Sequence, residues 1–503
     1  MVRVWGHQGR ARDALIAVRL EGRGPLNRQL FRGLRHAILD GRFGPGSRLP
    51  STRALATDLG LSRNVVLLAF AQLVAEGYAE GRGGSGTFVP DVLPDPRPRR
   101  RPRAAAAPRP LPLSTHARRV VALAPLPAVG TPPRAGLLYD FRYGVPAVAE
   151  FPQQVWSRIV TRRMRAASVN TLRYGRAVGW RPLRQAIAAY VTRTRGVTTT
   201  VDQVVIVNGS QQALDLVARL LVDPGDRVVV EEPSYVSARQ VFIAAGAELI
   251  AVPVDAQGLD VSQLPTRGAI RAAYVTPSHQ FPLGGTLPLD RRLALLDWAA
   301  DSGAVVIEDD YDSEFWYGAH PVEAIQGLDA AGRVLYIGTF SKVLFPSMRL
   351  GYLIVPPALI GPLAALKFLA DRQSPTFEQE VLAEFIARGH FERHVRRARA
   401  RNAARRTAML EAFDDTFGDR AQVSGENAGI HMVVWLRDVE AARLDDLIAR
   451  AADRGIGLYS VAPHYTRPPE VAGLLLGYAG LTEAEIRDGI RMLGDLMGAH
   501  RLR

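Results

Sequence analysis

Only two of the 63 basic residues in this 503-residue chain are lysines, Lys342 and Lys367, and the other 61 are arginines. An arginine guanidinium stays protonated, whereas a lysine in a desolvated site can lose its proton and attack a carbonyl carbon to form a Schiff base. Lys342 follows the apolar run RVLYIGTFS and precedes Arg349 by seven residues. Lys342 is therefore a candidate nucleophile, and the alternative of a stray surface lysine must be judged from its neighbours.

A carboxylate and a phosphate cradle accompany this lysine along the chain. Asp309 ends the apolar strand GAVVI-ED, 33 residues before Lys342, and the ends of neighbouring parallel strands open into one ligand-binding crevice. In VIVNGSQQALDL a strand, a glycine turn and a helix follow one another. The free N–H groups of Gly209, Ser210 and Gln211 at such a helix start predict a phosphate-binding site.

Two further side chains complete a recognisable set. Arg349 offers a planar fork for a phosphate, and Tyr235, in EEPSY after another strand, offers an aromatic face. A Schiff-base lysine, a carboxylate, a phosphate cradle and a stacking ring are the groups that hold pyridoxal 5′-phosphate (PLP). The carboxylate keeps the pyridine nitrogen protonated, which makes the ring an electron sink. The sequence therefore predicts PLP as a cofactor.

Hydropathy patterning predicts the fold around these residues. From about 136 to the end, apolar runs of four to six residues bounded by Gly, Pro and Asp alternate with helical stretches. This alternation predicts an α/β domain with a mainly parallel sheet. From about residue 375 the pattern is helical first and then mixed, which predicts a smaller C-terminal α+β lobe.

The charge of the chain is concentrated at one end. Residues 1–135 hold 22 arginines and 8 acidic residues, which accounts for the whole net charge of +14 and leaves the remainder neutral. Such asymmetry predicts a nucleic-acid-binding end joined to a neutral body. We divide the chain into a compact module over 24–90, a Pro/Arg-rich linker over 91–135 and the body over 136–503. The proline density of the linker does not favour a helix or a central strand, so we expect it to be semi-rigid and partly extended.

Other compositional features narrow the class of protein. The chain has no cysteine, which excludes disulfides and thiolate metal sites, and no metal site is predicted. Its N-terminus lacks the apolar core of a secretory signal, and no apolar run approaches the length of a membrane helix. We therefore expect a cytoplasmic protein without membrane contact.

The basic module is predicted to form three helices and a β-hairpin. The first helix, NRQLFRGLRHAILDG, carries apolar residues at helical spacing and is expected to end at Gly41. Ser51 caps STRALATDLG, which ends at Gly60, and Ser62 caps SRNVVLLAFAQLVAEG. YAEGRGGSGTFVP then predicts a two-stranded wing. A short helix, a glycine turn and a second helix with polar residues at its start are typical of a helix-turn-helix DNA-binding domain, although a plain three-helix bundle is the alternative.

At these residues the sequence resembles the GntR-type winged helix. LPSTRALATDLGLSRNVV and EGYAEGRGGSGTFV match that family's helix and wing motifs over about 65 residues. Asn64 stands where threonine is usual, and Leu67 stands where some members have an arginine. Arginine and asparagine read guanine and adenine edges, while serine and arginine also hold phosphates. The resemblance implies contacts to double-stranded DNA from Arg48, Arg53, Ser62, Arg63, Asn64 and Ser85.

The body resembles the fold-type I aminotransferases over about 350 residues, and the whole chain resembles the MocR subfamily of GntR regulators, which fuse the two parts. TPSHQFPLGGTLP, IEDDYDSEFWY and TFSKVLFPSMRLGY are similar to that subfamily's motifs. The resemblance implies that Lys342 forms the aldimine, that Asp309 binds the pyridine nitrogen and that Tyr311 binds the ring hydroxyl. It also implies a stacking role for Tyr235, phosphate contacts from Ser210, Gln211, Thr339 and Arg349, a ring contact from His279, and a homodimer in which Tyr174 reaches the partner's phosphate.

Two positions depart from the aminotransferase pattern. Phe281 occupies the place of the asparagine that steadies the ring hydroxyl, and Leu475 aligns with the arginine that grips a substrate α-carboxylate. Arg467 is the candidate to replace that arginine. Without it the pocket would hold α-amino acids poorly, which favours a sensor over a transaminase.

Three functions remain open on the sequence alone. The first is a PLP-dependent transcriptional regulator that senses PLP or a PLP–amine aldimine. The second is a catalytically active aminotransferase with a DNA-binding appendage. The third is a nucleic-acid-binding protein whose body has lost its cofactor, against which the joint presence of Lys342, Asp309, Tyr311 and Arg349 counts.

Overall fold

The computed structural model describes residues 20, 24–94, 112–123, 136–169, 171–318 and 322–498. The chain divides into two compact units, Met1–Leu111 and Pro112–Arg503. Most of the predicted linker lies outside the described residues. In the described ranges we find no helix with the length and apolarity needed to cross a membrane.

The first unit consists of three helices followed by a two-stranded antiparallel wing, in the predicted order. These elements are α1 (Leu26–Leu39), α2 (Thr52–Leu59), α3 (Arg63–Ala75), β1 (Glu80–Arg82) and β2 (Gly86–Phe88). The apolar faces of the three helices enclose one buried core.

Helix caps fix the turn between α2 and α3. The Ser51 hydroxyl accepts from the Ala54 N–H at 3.1 Å, and the Ser62 hydroxyl accepts from the Val65 N–H at 3.4 Å. Gly60 ends α2 in the left-handed conformation, with φ of 64°, which glycine adopts without steric cost. The predicted caps of α2 and α3 are thus present, whereas α1 ends at Leu39, two residues before the expected Gly41.

The second unit contains one large sheet with helices on both faces. Its order is β4-β11-β10-β9-β8-β5-β6-β7, in which β10, β9, β8, β5 and β6 are parallel neighbours, while β11 runs antiparallel to both of its neighbours. The sheet is therefore mainly parallel, as predicted. The strands are β4 (Val204–Val207), β5 (Arg227–Glu232), β6 (Glu248–Asp255), β7 (Gly258–Leu259), β8 (Ala272–Val275), β9 (Val305–Asp310), β10 (Val334–Thr339) and β11 (Gly351–Ile354).

Alternating residues of these strands pack into two different cores. Val228 and Val230 of β5 face one layer of helices, and Val229 between them faces the other. Because successive strand residues point to opposite faces, a continuous apolar run is needed when both faces are covered. The surrounding helices are α5 (Gln153–Arg165), α6 (Arg181–Arg195), α7 (Ser210–Leu221), α8 (Val236–Ala245), α9 (Leu289–Ser302), α10 (Ile325–Leu328), α11 (Pro357–Asp371) and α12 (Thr376–Ala387).

The C-terminal part forms a smaller α+β lobe around a three-stranded antiparallel sheet of order β12-β13-β15. Strand β3 (Tyr139–Asp140) pairs in parallel with β14, and Phe141 lies in the core of the lobe. The lobe therefore also includes the start of the body. Its other elements are α13 (His390–Phe417), β12 (Ala421–Ser424), β13 (His431–Glu440), α14 (Leu444–Asp453), β14 (Ile456–Gly457), β15 (Val471–Gly477) and α15 (Glu483–Gly498).

The structure differs from the predicted extended linker at one place. Residues Thr115–Ala122 form helix α4, which the Ser114 hydroxyl caps by accepting from the Ala117 N–H at 3.0 Å. The helix was not predicted because the composition of residues 91–135 was considered as a whole, whereas this stretch contains no proline. The helix packs against α8 of the body, so this part of the predicted linker belongs with the second unit.

Candidate cofactor site and nucleic-acid interface

Two neighbouring strands carry the central residues of the candidate site. Strand β9 ends in Asp309 and Asp310, and β10 runs parallel beside it with Ile337 opposite Asp309. Lys342 follows three residues after β10 ends. Asp309 and Lys342 therefore lie at the same edge of the sheet, where parallel strands open into a crevice.

Asp309 has one oxygen without a protein partner. Its side chain is buried, and its Oδ2 accepts from the Tyr274 hydroxyl at 2.8 Å. Its Oδ1 is also buried and has no hydrogen-bond partner in the described structure. Burial raises the pKa of Asp309 to about 7, against the lowering effect of the Tyr274 hydrogen bond. An unpaired buried carboxylate oxygen is a suitable acceptor for a protonated ring nitrogen.

The adjacent carboxylate has a structural role. Asp310 points to the opposite face of β9 and accepts from Arg195 Nε at 2.8 Å. Burial alone would raise the pKa of Asp310, but the Arg195 guanidinium outweighs it and holds that pKa below its usual value. Of the two neighbouring acids, Asp309 alone keeps a buried oxygen without a partner in the described structure.

Lys342 is held by a backbone carbonyl. Its Nζ donates to the Gly144 carbonyl at 2.7 Å, and a Cβ on Gly144 would lie 2.9 Å from this nitrogen. Burial lowers the pKa of Lys342, which increases the fraction of neutral, nucleophilic amine. The lysine thus has the electrostatic setting that Schiff-base formation requires.

The predicted phosphate cradle is formed at the start of α7. Ser210 and Gln211 occupy the first turn, where backbone N–H groups are free of intrahelical bonds. Gly209 has φ of 84°, and a Cβ there would lie 2.8 Å from Arg349 Nη2. Only glycine lets the guanidinium approach the helix start this closely. Arg349 itself donates to the Asn208 carbonyl at 2.9 Å.

Arg349 also adopts an unusual backbone conformation. Its φ of 51° is one of two positive values among the described non-glycine residues, and such strain is concentrated at functional sites. Thr339, at the end of β10, is buried, and its hydroxyl accepts from the Ser341 N–H at 3.2 Å. Both residues lie on the connection that positions Lys342.

Aromatic and histidine side chains border the same edge. Tyr311 donates to the His279 carbonyl at 2.9 Å, and its hydroxyl lies 3.0 Å from His279 Nδ1. That nitrogen also lies 3.0 Å from Asp312 Oδ2. His279 is 1% exposed, so its ring is buried among these partners. Tyr235 packs edge-on to Phe281 in the same cluster.

Sequence reasoning missed four residues of this site: Tyr274, Gly144, Asp312 and His431. Asp312 and His431 join His279 in a buried group whose candidate metal-ligating atoms lie within 4.8 Å of one another. Burial holds the pKa of His431 well below its ordinary value, so this imidazole is neutral. Of these four residues, only Asp312 could have been found from the sequence, because it lies in the acidic stretch IEDDYDSEF beside Asp309.

Tyr174 lies apart from these residues. It is 79% exposed, and the Arg372 guanidinium carbon lies 4.5 Å from the centre of its ring. The described residues thus bring together every other predicted cofactor residue at the sheet edge and leave Tyr174 on the surface.

The residues present fit PLP. The orphan oxygen of Asp309 suits the pyridine nitrogen, and the helix start beside Arg349 suits a phosphate. Lys342, whose pKa is lowered by burial, could react with the aldehyde carbon as a neutral amine. When bound, PLP supplies an electron sink, and these side chains orient it and fix its protonation.

The predicted DNA-contacting residues are all exposed in the first unit. Arg63 and Asn64 form the first turn of α3, where a recognition helix contacts base edges. Arg48 lies against Gly86 at the wing, since a Cβ on that glycine would be 2.8 Å from Arg48 Nε. The other exposed residues of the predicted set are Arg53, Ser62 and Ser85.

Two family descriptions match the chain at these two sites. "Bacterial regulatory proteins, gntR family" matches residues 26–89, and "Aminotransferase class I and II" matches residues 144–492. The α-aminoadipate aminotransferase LysN of Thermus thermophilus, solved with N-(5′-phosphopyridoxyl)-L-leucine, is 29% identical. The two structures superpose with a TM-score of 0.67, and the alignment covers 78% of this chain and 96% of the LysN chain. Fold and site therefore define a PLP-dependent transcriptional regulator that joins a winged helix to an aminotransferase-like domain.

Relatives that match over both units identify the subfamily. The probable rhizopine catabolism regulatory protein MocR of Rhizobium meliloti is 37% identical over 481 residues, or 93% of each chain. The transcriptional regulator TauR of Rhodobacter capsulatus is 34% identical over 471 residues, which cover 93% of this chain and 96% of TauR. The chain belongs to the MocR-type GntR regulators.

Proposed function

We propose that PLP, alone or joined to an amine effector, binds at Lys342 and changes the affinity of the winged helix for its operator. The observation that carries this proposal is the orphan oxygen of buried Asp309 beside Lys342, in a chain that also presents Arg63 and Asn64 on an exposed helix start. A ligand can shift DNA binding only if it favours one arrangement of the chain over another.

In this proposal each side chain of the site has a defined task. Lys342 forms the Schiff base, Asp309 holds the pyridine nitrogen, and Tyr311, held by His279, contacts the ring hydroxyl. Tyr235 stacks on the ring. The phosphate is bound by Ser210, Gln211, Thr339 and Arg349.

We further propose a homodimer with shared sites. Tyr174 is exposed and would reach the phosphate of a partner subunit. Two winged helices in one dimer would bind paired half-sites on double-stranded DNA. We also propose a cytoplasmic location, which the DNA-binding unit supports. Target genes of vitamin B6, amine or amino-acid metabolism fit this assignment.

Helix α8 offers a physical connection between the cofactor site and the linker. Tyr235 is the residue that immediately precedes α8, at its N-terminus. At the other end, Arg119 of α4 donates to the carbonyls of Ala244 and Ala245 at 2.9 and 3.2 Å, and His116 Nδ1 lies 2.9 Å from the Ala244 carbonyl. A shift of Tyr235 on ligand binding would therefore move the anchor of the linker helix.

The test of this function is a gel shift with the DNA upstream of the protein's own gene. We expect the full-length chain to bind this DNA with different affinities when PLP-free and when PLP-loaded. Binding that is equal in both forms would contradict PLP as the signal and direct the search to amines. Absence of binding in both forms would contradict the regulator assignment itself and favour the aminotransferase.

Replacing Arg119 by alanine should uncouple the two units. Because Arg119 donates two of the three described hydrogen bonds that anchor α4 on α8, the ratio of DNA affinities between PLP-loaded and PLP-free protein should fall toward 1, measured by the same gel shift. Arg118→Ala is the matched control, since the one hydrogen bond of the Arg118 side chain among the described residues stays within α4, to Thr115 at 3.1 Å. Both variants should keep the visible absorbance of bound PLP. An unchanged ratio in Arg119→Ala would rule out transmission through the Arg119 contact, and an unchanged ratio in the double variant Arg119→Ala, His116→Ala would rule out transmission through the anchor on α8.

A further inference from the structure

The surroundings of Lys342 on its Gly144 side are apolar and aromatic. The Gly144 carbonyl accepts from Lys342 Nζ at 2.7 Å, and the preceding residue, Tyr143, packs against a buried cluster. Tyr235 and Tyr311, which border the ring site, pack against the same cluster. We call it the apolar wall; its buried members are Phe281, Val433, Val461 and Leu475.

Arginines near this wall are already engaged. Arg142 Nε donates to the Tyr459 hydroxyl at 3.1 Å and lies 3.5 Å from Asp140 Oδ2. Arg239 donates to the Pro463 carbonyl at 2.8 Å. Neither guanidinium is therefore available to a ligand anion without losing its present partner.

The histidines near the wall carry no compensating charge. Burial lowers the pKa of His464, which contacts Tyr143 edge-on, to about 4. His431, whose ring centre lies 5.3 Å from that of Phe281, is also neutral because burial lowers its pKa. Arg467 is exposed and lies outside the wall cluster as described.

These surroundings discriminate between ligands by charge. A carboxylate buried against the wall would lose its hydration without gaining a cationic partner among the described residues, which is strongly unfavourable. An apolar or aromatic group in the same place would be stabilised by the removal of its surface from water. The wall thus favours an amine, which has no carboxylate, over the amino acid with the same side chain, which has one.

We propose that the effector is a primary amine with an apolar or aromatic body and no carboxylate, the class of compound that decarboxylation of an apolar amino acid supplies. This inference rests on the proposed function. The amine nitrogen would replace Lys342 Nζ at the cofactor's aldehyde carbon. One C=N bond forms as the other breaks, both amine protons end on Lys342, and no oxidant or reductant is consumed.

The test titrates the PLP-loaded, full-length protein with two matched pairs: 2-phenylethylamine against L-phenylalanine, and 3-methylbutylamine against L-leucine. Members of a pair differ only by the carboxylate. The change in visible absorbance of the cofactor gives each dissociation constant. We expect each amine to bind at least about 10-fold more tightly than its amino acid, because a 10-fold difference corresponds to about 1.4 kcal/mol and an unpaired buried charge costs more than that.

Two variants sharpen the result. Leu475→Arg should reverse the preference by giving the carboxylate a partner, and Arg467→Ala, outside the wall, should leave it unchanged. Wild-type binding of the amino acids as tight as, or tighter than, that of the amines would overturn the inference. So would loss of amino-acid binding in Arg467→Ala, since Arg467 would then be the carboxylate partner.

Two further outcomes separate this inference from the proposed function. If none of the four ligands changed the cofactor absorbance, the proposed effector class would be overturned, while PLP sensing would remain intact. Absence of any cofactor absorbance in wild-type protein would overturn both.

Discussion

Replacing Lys342 by alanine should abolish the Schiff-base absorbance of the PLP-loaded protein completely. Lys342 is the lysine that the structure places at the sheet edge. Burial lowers its pKa, which increases the fraction of the reactive neutral amine. The helix start at Ser210 and the Arg349 fork would remain in the variant. We therefore expect it to hold free PLP through the phosphate, with the spectrum of the unreacted aldehyde. The measurement is an absorbance scan after gel filtration in excess PLP.

The other lysine provides an internal control for this result. Lys367 is fully buried, and its Nζ lies 2.8 Å from Asp371 Oδ2. Its amine is therefore engaged in an ion pair, and we do not expect it to react with the aldehyde. Borohydride reduction of wild-type protein followed by peptide mapping should place the phosphopyridoxyl group on Lys342 alone. A band that persists in Lys342→Ala, or a label on Lys367, would refute the assignment.

Local sequence signals were sufficient for the main features of the candidate site. Asp309 and Lys342 each follow an apolar run that ends in polar residues, and such runs in an α/β pattern place their ends at one edge of a parallel sheet. Gly209 before an amphipathic stretch marked the start of α7 in the same way. These features depend on residues close together in the chain, so spacing alone could predict them.

Features that depend on long-range register were not predictable. Tyr274 donates to Asp309 across 35 residues because β8 aligns Tyr274 with Ile307 of β9. Nothing in the strand AAYV indicates that alignment. His431 comes from the C-terminal lobe, and its approach to His279 depends on how that lobe packs within the second unit. The sequence likewise could not separate Asp309 from Asp310 by residue type, since burial and Arg195 make the difference.

Replacing Arg63 by alanine should reduce specific DNA binding more than any other single change in the winged helix. Arg63 begins α3 and is exposed, where a bidentate contact to guanine contributes about 1–3 kcal/mol of discrimination. A dimer on paired half-sites would lose about 2–6 kcal/mol, since the contact is made twice. The measurement compares affinities for the wild-type binding sequence and for a shuffled duplex of equal length.

The controls distinguish base reading from charge. Arg42→Ala removes the same charge from the same unit, but Arg42 lies 3.6 Å from Asp40 Oδ2 at the end of α1, so we expect little change. Arg53→Ala should weaken binding to both duplexes alike and reduce the salt dependence by about one counterion for each phosphate that Arg53 neutralises. If Arg63→Ala weakened both duplexes equally, Arg63 would be a phosphate contact. Undiminished binding would mean that α3 does not enter the groove by its first turn, because an arginine at that position cannot be silent in a helix docked there.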